Sequence, residues 1–245
     1  MNNRPIWLDE YANIIDDIRN KLVQIKVVEE VTLKYAIIRL FARATLSMCE
    51  IYTLMNNGYP NGAFSLSRQI YETIVIMNYL TKHQNDKKMI ERYFDDIEIT
   101  KIKIQIEQEK YVKNEIKNST NNLLKNYSEK YPDFCNTNNY FADYWWVEKG
   151  CTFAKLAART EIPKDYMYKE TSCNIHMSSF NSLHYVGSNQ NDILIGETYN
   201  EINKAGWYSM LCFCMAMDIF RKAYYVEIEL NKLISRGQEL VRKIN

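Results

Sequence analysis

The sequence contains little glycine and little proline, with seven Gly and four Pro in 245 residues. All-β folds and phosphate-binding α/β folds use both residues in their turns, so both fold classes are disfavoured. The chain also lacks an excess of one charge, with 31 Lys and Arg against 30 Asp and Glu. A nucleic-acid coat or a polybasic membrane anchor would need a basic excess. The composition therefore favours an ordinary globular helical protein and assigns no activity.

Long apolar runs and paired cysteines are also missing. The most apolar stretch, 207–217, is followed by the charged residues Asp218 and Arg221 and is shorter than the roughly 20 residues of a membrane-spanning helix. We expect it to form a buried core helix, with no membrane partner. The N-terminal residues contain no apolar signal region. None of the six cysteines forms a C-x-x-C pair, which favours free buried thiols and a cytoplasmic location.

Several catalytic motifs are absent as well. The sequence has no G-x-x-x-x-G-K-[ST] and no G-x-G-x-x-G, so a phosphate-cradling loop is unsupported. It has no H-E-x-x-H and no E-x-x-H, the spacing that places two di-iron ligands on one helix face. We therefore expect neither a metal nor another cofactor.

Apolar residues recur every three or four positions along most of the chain, which is the helical period. The pattern predicts helices over about 7–25, 32–57, 62–82, 86 to beyond 111, 153–159, 165–184 and 200–233. Within the fourth helix, Ile102, Ile104 and Ile106 alternate with a strand period, so a strand is the alternative for residues 97–106. Residues 113–150 form a polar connector. Together these elements predict a single all-α domain over 1–245, a bundle around a buried central helix at 62–82.

Two charged residues interrupt that apolar central helix. Arg68 and Glu72 lie four positions apart and so share one helix face. A buried arginine needs a carboxylate or phosphate partner, since an unpaired buried charge is costly. The pair is either an internal ion pair that fixes helix packing, or an arginine that clamps a ligand anion while Glu72 orients it.

His176 is the second candidate, with Ser172 four residues before it. A neutral histidine can accept a proton near pH 7, and its cation can donate one. The alternative is a structural histidine. Arg92 follows one helix after Arg68 and could reach the same cleft, or could pair on the surface with Glu91 or Asp95. Arg92, Tyr71 and Tyr168 are the residues that we expect to bind substrate.

An aromatic group lies on the polar connector. These side chains could stack a base, or could anchor the connector onto the protein. The group consists of Tyr140, Phe141, Tyr144, Trp145 and Trp146.

The order of these motifs resembles that of an uncharacterised bacterial helical family, DUF5677, over roughly residues 35–183. The resemblance is carried by Asn61-Gly62-Ala63, Leu66-x-Arg68-x-x-x-Glu72, Tyr79-Leu80, Arg92-Tyr93, Trp146, Gly150-Cys151-Thr152, Leu156-Ala157 and Ser172-x-x-x-His176. In that family the central Arg and Glu and the late Ser and His are recurrent polar positions. The resemblance thus points to Arg68, Glu72, Ser172 and His176.

A looser resemblance is to HEPN domains, up-and-down helical bundles found in abortive-infection and toxin ribonucleases. Their Arg precedes the His by four to six residues on one helix, whereas no Arg stands at that spacing before His176 or His184. The cation would have to come from Arg68 or Arg92. This resemblance implies metal-independent RNA or nucleotide chemistry in bacterial defence, and a homodimer. The alternatives are a helical interaction protein with a buried Arg-Glu-His network, and a small-molecule sensor.

Overall fold

The described part of the chain is helical. The computed structural model describes residues 4–27, 30–109, 125, 128–134, 145–146, 151–159, 168, 201–224 and 230–244. Within these ranges no strand is present, and the all-α prediction is confirmed. The contacts group the chain into two compact units, Met1–Lys82 with Phe153–Asn245, and His83–Thr152. That one domain spans 1–245 stays a prediction.

The helices are numbered along the described residues. They are α1 (Trp7–Leu22), α2 (Leu33–Asn56), α3 (Pro60–Lys82), α4 (Lys87–Glu109), α5 (Phe153–Arg159), α6 (Ile202–Tyr224) and α7 (Asn231–Ile244). A short 3-10 helix covers Pro132–Phe134.

Local signals explain where α2 ends and α3 begins. The Thr32 hydroxyl accepts a hydrogen bond from the backbone N–H of Tyr35 and caps the start of α2. At the other end, Gly58 has φ of 76°, a left-handed conformation that glycine adopts without a side-chain penalty. Pro60 then occupies the first position of α3, where its missing N–H costs nothing.

The ambiguous stretch 97–106 lies within α4 and is helical, so the helix prediction is confirmed. Its isoleucines alternate, but the intervening residues are mostly Lys, Glu and Gln. These straight-chain residues lose little side-chain freedom in a helix, which favours the helical state.

The single helix predicted over 200–233 is wrong. Two helices, α6 and α7, occupy this part of the chain, and Leu230 lies outside both. The helix α7 packs back onto α6, and Gly237 lies so close to Cys214 that an added Cβ would come within 2.5 Å of its Sγ. The sequence contains no Gly or Pro between Tyr224 and Asn231, so no helix-breaking residue signals the end of α6.

In the larger unit, α6 packs against α2, α3 and α7, while α1 packs against α2 and α7. Stacked rings join α2 to α6, because Phe41 lies 5.7 Å from Phe213 and 4.3 Å from Phe220. The helix α3 also contacts α2 and α5 and buries residues on most of its sides. The two charged residues of its middle turns therefore need partners close at hand.

Candidate functional site

Arg68 and Glu72 form an ion pair on α3. The Arg68 Nε donates a hydrogen bond to the Glu72 Oε1 at 2.7 Å, as the four-residue spacing predicts. The Arg68 side chain is 16% exposed and the Glu72 side chain 37% exposed. The pair is therefore neither sealed in the core nor fully solvated.

Tyr168 joins this pair from a part of the chain 100 residues away. Its hydroxyl accepts a hydrogen bond from the Arg68 Nη2 at 2.9 Å. The Arg68 Cζ also lies over the Tyr168 ring, 4.5 Å from the ring centre, which is within the range of a cation–π contact. Both contacts hold the plane of the guanidinium in one orientation.

Two further aromatic rings support Tyr168. The ring centre of Phe153, at the start of α5, lies 5.8 Å from that of Tyr168. The ring of Tyr71, buried on α3, lies 6.0 Å from Tyr168 and 6.5 Å from Phe153. We name the five residues Arg68, Tyr71, Glu72, Phe153 and Tyr168 the Arg68 cluster. The four-residue spacing predicted the pairing of Arg68 with Glu72, but nothing in the sequence indicated that Phe153 would join them.

The Arg68 cluster combines a fixed cation with a partly open carboxylate. A guanidinium has five N–H donors in a planar fork, which matches the oxygens of a phosphate or carboxylate. Its Nε and Nη2 already donate to Glu72 and Tyr168. The arrangement can therefore orient an anion beside the arginine, or it can hold α3 against the segment that contains Tyr168.

Arg92 belongs to the smaller unit, on α4. Its Nε donates to the backbone carbonyl of Trp145, and its Cζ lies 3.8 Å from the ring centre of Phe134. Burial raises the pKa of Asp95 and of Asp96, and the positive charge of Arg92 opposes both shifts. Because Arg68 belongs to the other unit, a common cleft for the two arginines stays a prediction.

Trp145 and Trp146 are both buried. Trp145 packs edge-on against Tyr93 of α4 at 5.0 Å, and the Trp146 Nε1 donates to the Cys151 carbonyl at 3.1 Å. These contacts favour the anchoring role over base stacking for the two tryptophans. Tyr140, Phe141 and Tyr144 lie outside the described residues.

Ser172 and His176 also lie outside the described residues, as does the predicted helix over 165–184 apart from Tyr168. Their approach to Arg68 stays a prediction. Among the residues that the structure does describe, no group of three His, Cys, Asp or Glu is placed to hold a metal ion. The described helices include none with the length and apolar character needed to span a membrane.

The described cysteines are free thiols, as predicted: Cys49, Cys151, Cys212 and Cys214. Burial raises the pKa of Cys212, and it raises the pKa of Cys214 to about 12. Both remain protonated near neutral pH, so neither is an activated nucleophile.

The fold and the Arg68 cluster define a helical bundle protein with a partly buried arginine in a central helix. The sequence profile of DUF5677, described as a family of unknown function, matches residues 34–193. This match covers more than half of the chain, so the protein belongs to DUF5677, as the motif order predicted. Neither a curated protein nor a solved structure matches the chain.

Proposed function

We propose that this protein cleaves an RNA phosphodiester without a metal, using Arg68 and His176. The observation that carries the proposal is the orientation of Arg68. Its guanidinium is held by Glu72 and Tyr168, while the Glu72 side chain stays 37% exposed. A fixed cation beside solvent stabilises developing negative charge without reorganising during the reaction.

The proposed chemistry needs two proton transfers. His176 takes the proton from the ribose 2′-OH, whose oxygen then attacks phosphorus. The protonated His176 then delivers its proton to the 5′-oxygen, which leaves, so the products carry a 2′,3′-cyclic phosphate and a 5′-hydroxyl. Arg68 stabilises the charge on the pentacovalent phosphorane. Glu72 positions Arg68, and Ser172 positions the imidazole.

The substrate must bind locally, because the chain has a formal net charge of only +1. Arg92, Tyr71 and Tyr168 are proposed to contact the RNA around the cleaved bond. The setting proposed for this activity is bacterial defence or a toxin, acting in the cytoplasm as a homodimer.

The test is cleavage of an end-labelled RNA by the purified full chain in the presence of EDTA. Removing a general acid–base group costs about 10²- to 10⁴-fold in rate, so His176→Ala should lose at least about a hundredfold. His184→Ala is the matched control and should retain the wild-type rate. Equal rates for wild type and His176→Ala, or products without a cyclic phosphate, would contradict the proposal.

A second function has its own supporting observation. Two donor groups of Arg68 are already used within the protein, which favours a helical interaction protein whose Arg68 cluster is a structural network. In that case Arg68→Ala lowers the melting temperature by many degrees, and RNA cleavage is absent from the wild type. The catalytic proposal instead expects cleavage by the wild type that is lost in Arg68→Ala, with only a modest fall in stability.

A further inference from the structure

A cavity of about 570 Å³ lies between α3, α6 and α7 in the larger unit. This volume is within the usual range of small-molecule sites, roughly 300–1,000 Å³. The helix α3 contributes Asn78 and Thr81 to the lining. Asn78 is ten residues beyond Arg68, about 15 Å along the helix axis at 1.5 Å per residue. The cavity is therefore a separate place from the Arg68 cluster.

One wall of the cavity is an apolar stripe on α6. Leu211, Met215 and Ile219 follow one another at four-residue spacing, so they lie on one helix face, and Ile234 of α7 completes the wall. The three α6 residues are only partly buried, although the neighbouring faces of this helix are buried. A molecule in the cavity would remove this apolar surface from water, which is favourable in proportion to the area covered.

One acidic and one basic residue form the charged end of the cavity. Asp218 and Lys222 line it, and the Asp218 carboxylate accepts from Arg221 at 2.7 Å and from Lys222 at 2.6 Å. Burial opposes ionisation of Asp218, but these two hydrogen bonds prevail and lower its pKa, so the carboxylate is ionised. The two charges of the lining cancel, and the excess positive charge comes from Arg221, which bonds to Asp218 from outside the lining.

The lining contains donor groups that can hold an anion. The Lys222 ammonium has three N–H donors, of which the contact to Asp218 uses one. The Gln238 side chain lies at the same cavity and carries an amide donor. The Cys214 thiol, also in the lining, is buried and neutral near pH 7 and adds no competing negative charge.

We propose that this cavity binds a small amphipathic acid. Its apolar body lies along Leu211, Met215 and Ile219, and its carboxylate or sulfonate accepts from Lys222 and Gln238. The site is independent of the proposed RNA chemistry, so Arg68→Ala leaves binding at the cavity unchanged.

The test uses two fluorescent probes with nearly the same body. 1-Anilinonaphthalene-8-sulfonate carries an anionic group, and N-phenyl-1-naphthylamine lacks it. We expect saturable binding of both to the full chain at one site. The Lys222→Gln variant should weaken the sulfonate probe about tenfold, the scale of one charge-assisted hydrogen bond near solvent, and leave the neutral probe within about twofold. Lys232→Gln, on exposed α7 surface outside the lining, is the matched charge control and should change neither.

A second variant tests the position of the body. Met215→Trp places a larger side chain in the cavity and should weaken both probes at least tenfold, with Ile219→Phe as the substitute if that variant fails to melt cooperatively. The proposal is overturned if the sulfonate probe does not bind saturably, or if Lys222→Gln changes the affinity of the two probes equally. It is also overturned if the cavity-filling variant binds both probes with wild-type affinity.

Discussion

Tyr168 connects the charged and the aromatic parts of the Arg68 cluster. Its hydroxyl accepts from the Arg68 Nη2, its ring lies under the guanidinium, and the rings of Tyr71 and Phe153 pack around it. Residues four apart share one helix face, so the helix itself places Glu72 beside Arg68, whereas only tertiary folding brings Tyr168 there. The orientation of Arg68 therefore depends on one residue that is distant in sequence.

Removing the Tyr168 hydroxyl should have a small and specific effect. Tyr168→Phe keeps the ring but loses the hydrogen bond, so the free energy of unfolding should fall by about 1 kcal/mol. Tyr168→Leu also loses the cation–π contact and should cost about 1 kcal/mol more. Urea denaturation of both variants measures these differences.

The control is the same pair of substitutions in an Arg68→Ala background. Without the guanidinium, Tyr168→Phe should lower the free energy of unfolding much less, because the hydroxyl has already lost its Arg68 donor. The difference between the two backgrounds measures the contact between the two side chains. An equal cost in both backgrounds would mean that the Tyr168 hydroxyl does not stabilise the protein through Arg68.

At the scale of helices, close packing of α7 on α6 depends on the missing side chain of Gly237. An alanine Cβ there would lie 2.5 Å from the Cys214 Sγ and 3.3 Å from the Met210 Sδ. Alanine is intrinsically better than glycine inside a helix by roughly 1 kcal/mol, but overpacking a core costs about 1–3 kcal/mol. The overpacking prevails, so Gly237→Ala should lower the free energy of unfolding by about 1 kcal/mol.

Removing the Cys214 Sγ should reverse the sign of this effect. In a Cys214→Ala background, Gly237→Ala should be neutral or stabilising, as measured by the urea midpoint. Gly62→Ala is a matched control, since its new Cβ would meet only the flexible end of Leu54 at 3.3 Å. If Gly237→Ala is destabilising to the same extent in both backgrounds, the contact with Cys214 is not the cause.

The same two helices mark the limit of what the sequence predicts. The helices α2, α3 and α5 begin and end within about two residues of their predicted positions, because caps, glycine and proline act locally. The break between α6 and α7 has no such local signal. It follows from the packing of α7 against α1 and α6, including the bonds from Arg236 to Glu10 and Asp17.

The candidate site also combines a local contact that the sequence predicts with a long-range contact that it does not. Arg68 and Glu72 were predictable as a pair because helical geometry alone places them together. Tyr168 was predicted to bind substrate, yet its contact with Arg68 is a long-range one that spacing cannot indicate. The cavity between α3, α6 and α7 was not predicted, because the sequence shows its apolar stripe only as part of a core helix.

At the scale of the whole molecule, a buried tyrosine hydroxyl and two buried thiols in the larger unit make its stability depend on pH in the alkaline range. The Tyr11 hydroxyl is fully buried and lies 2.7 Å from the Ser209 hydroxyl. Burial raises the pKa of Tyr11 and of Cys212 and raises that of Cys214 to about 12, from the usual thiol value of 9.0. The folded protein thus keeps protons that the unfolded chain releases.

This difference predicts alkaline destabilisation. Below about pH 8 both states hold these protons, and the stabilising contribution of the buried neutral groups is complete. As the pH rises further, the unfolded chain ionises first, and each such group lowers the free energy of unfolding by about 1.4 kcal/mol per pH unit. Urea denaturation from pH 8 to 11 should therefore show a steep decline. Tyr11→Phe and Cys214→Ala, each compared with wild type at pH 8, should make that decline shallower, while a pH-independent stability across this range would contradict the burial of these groups.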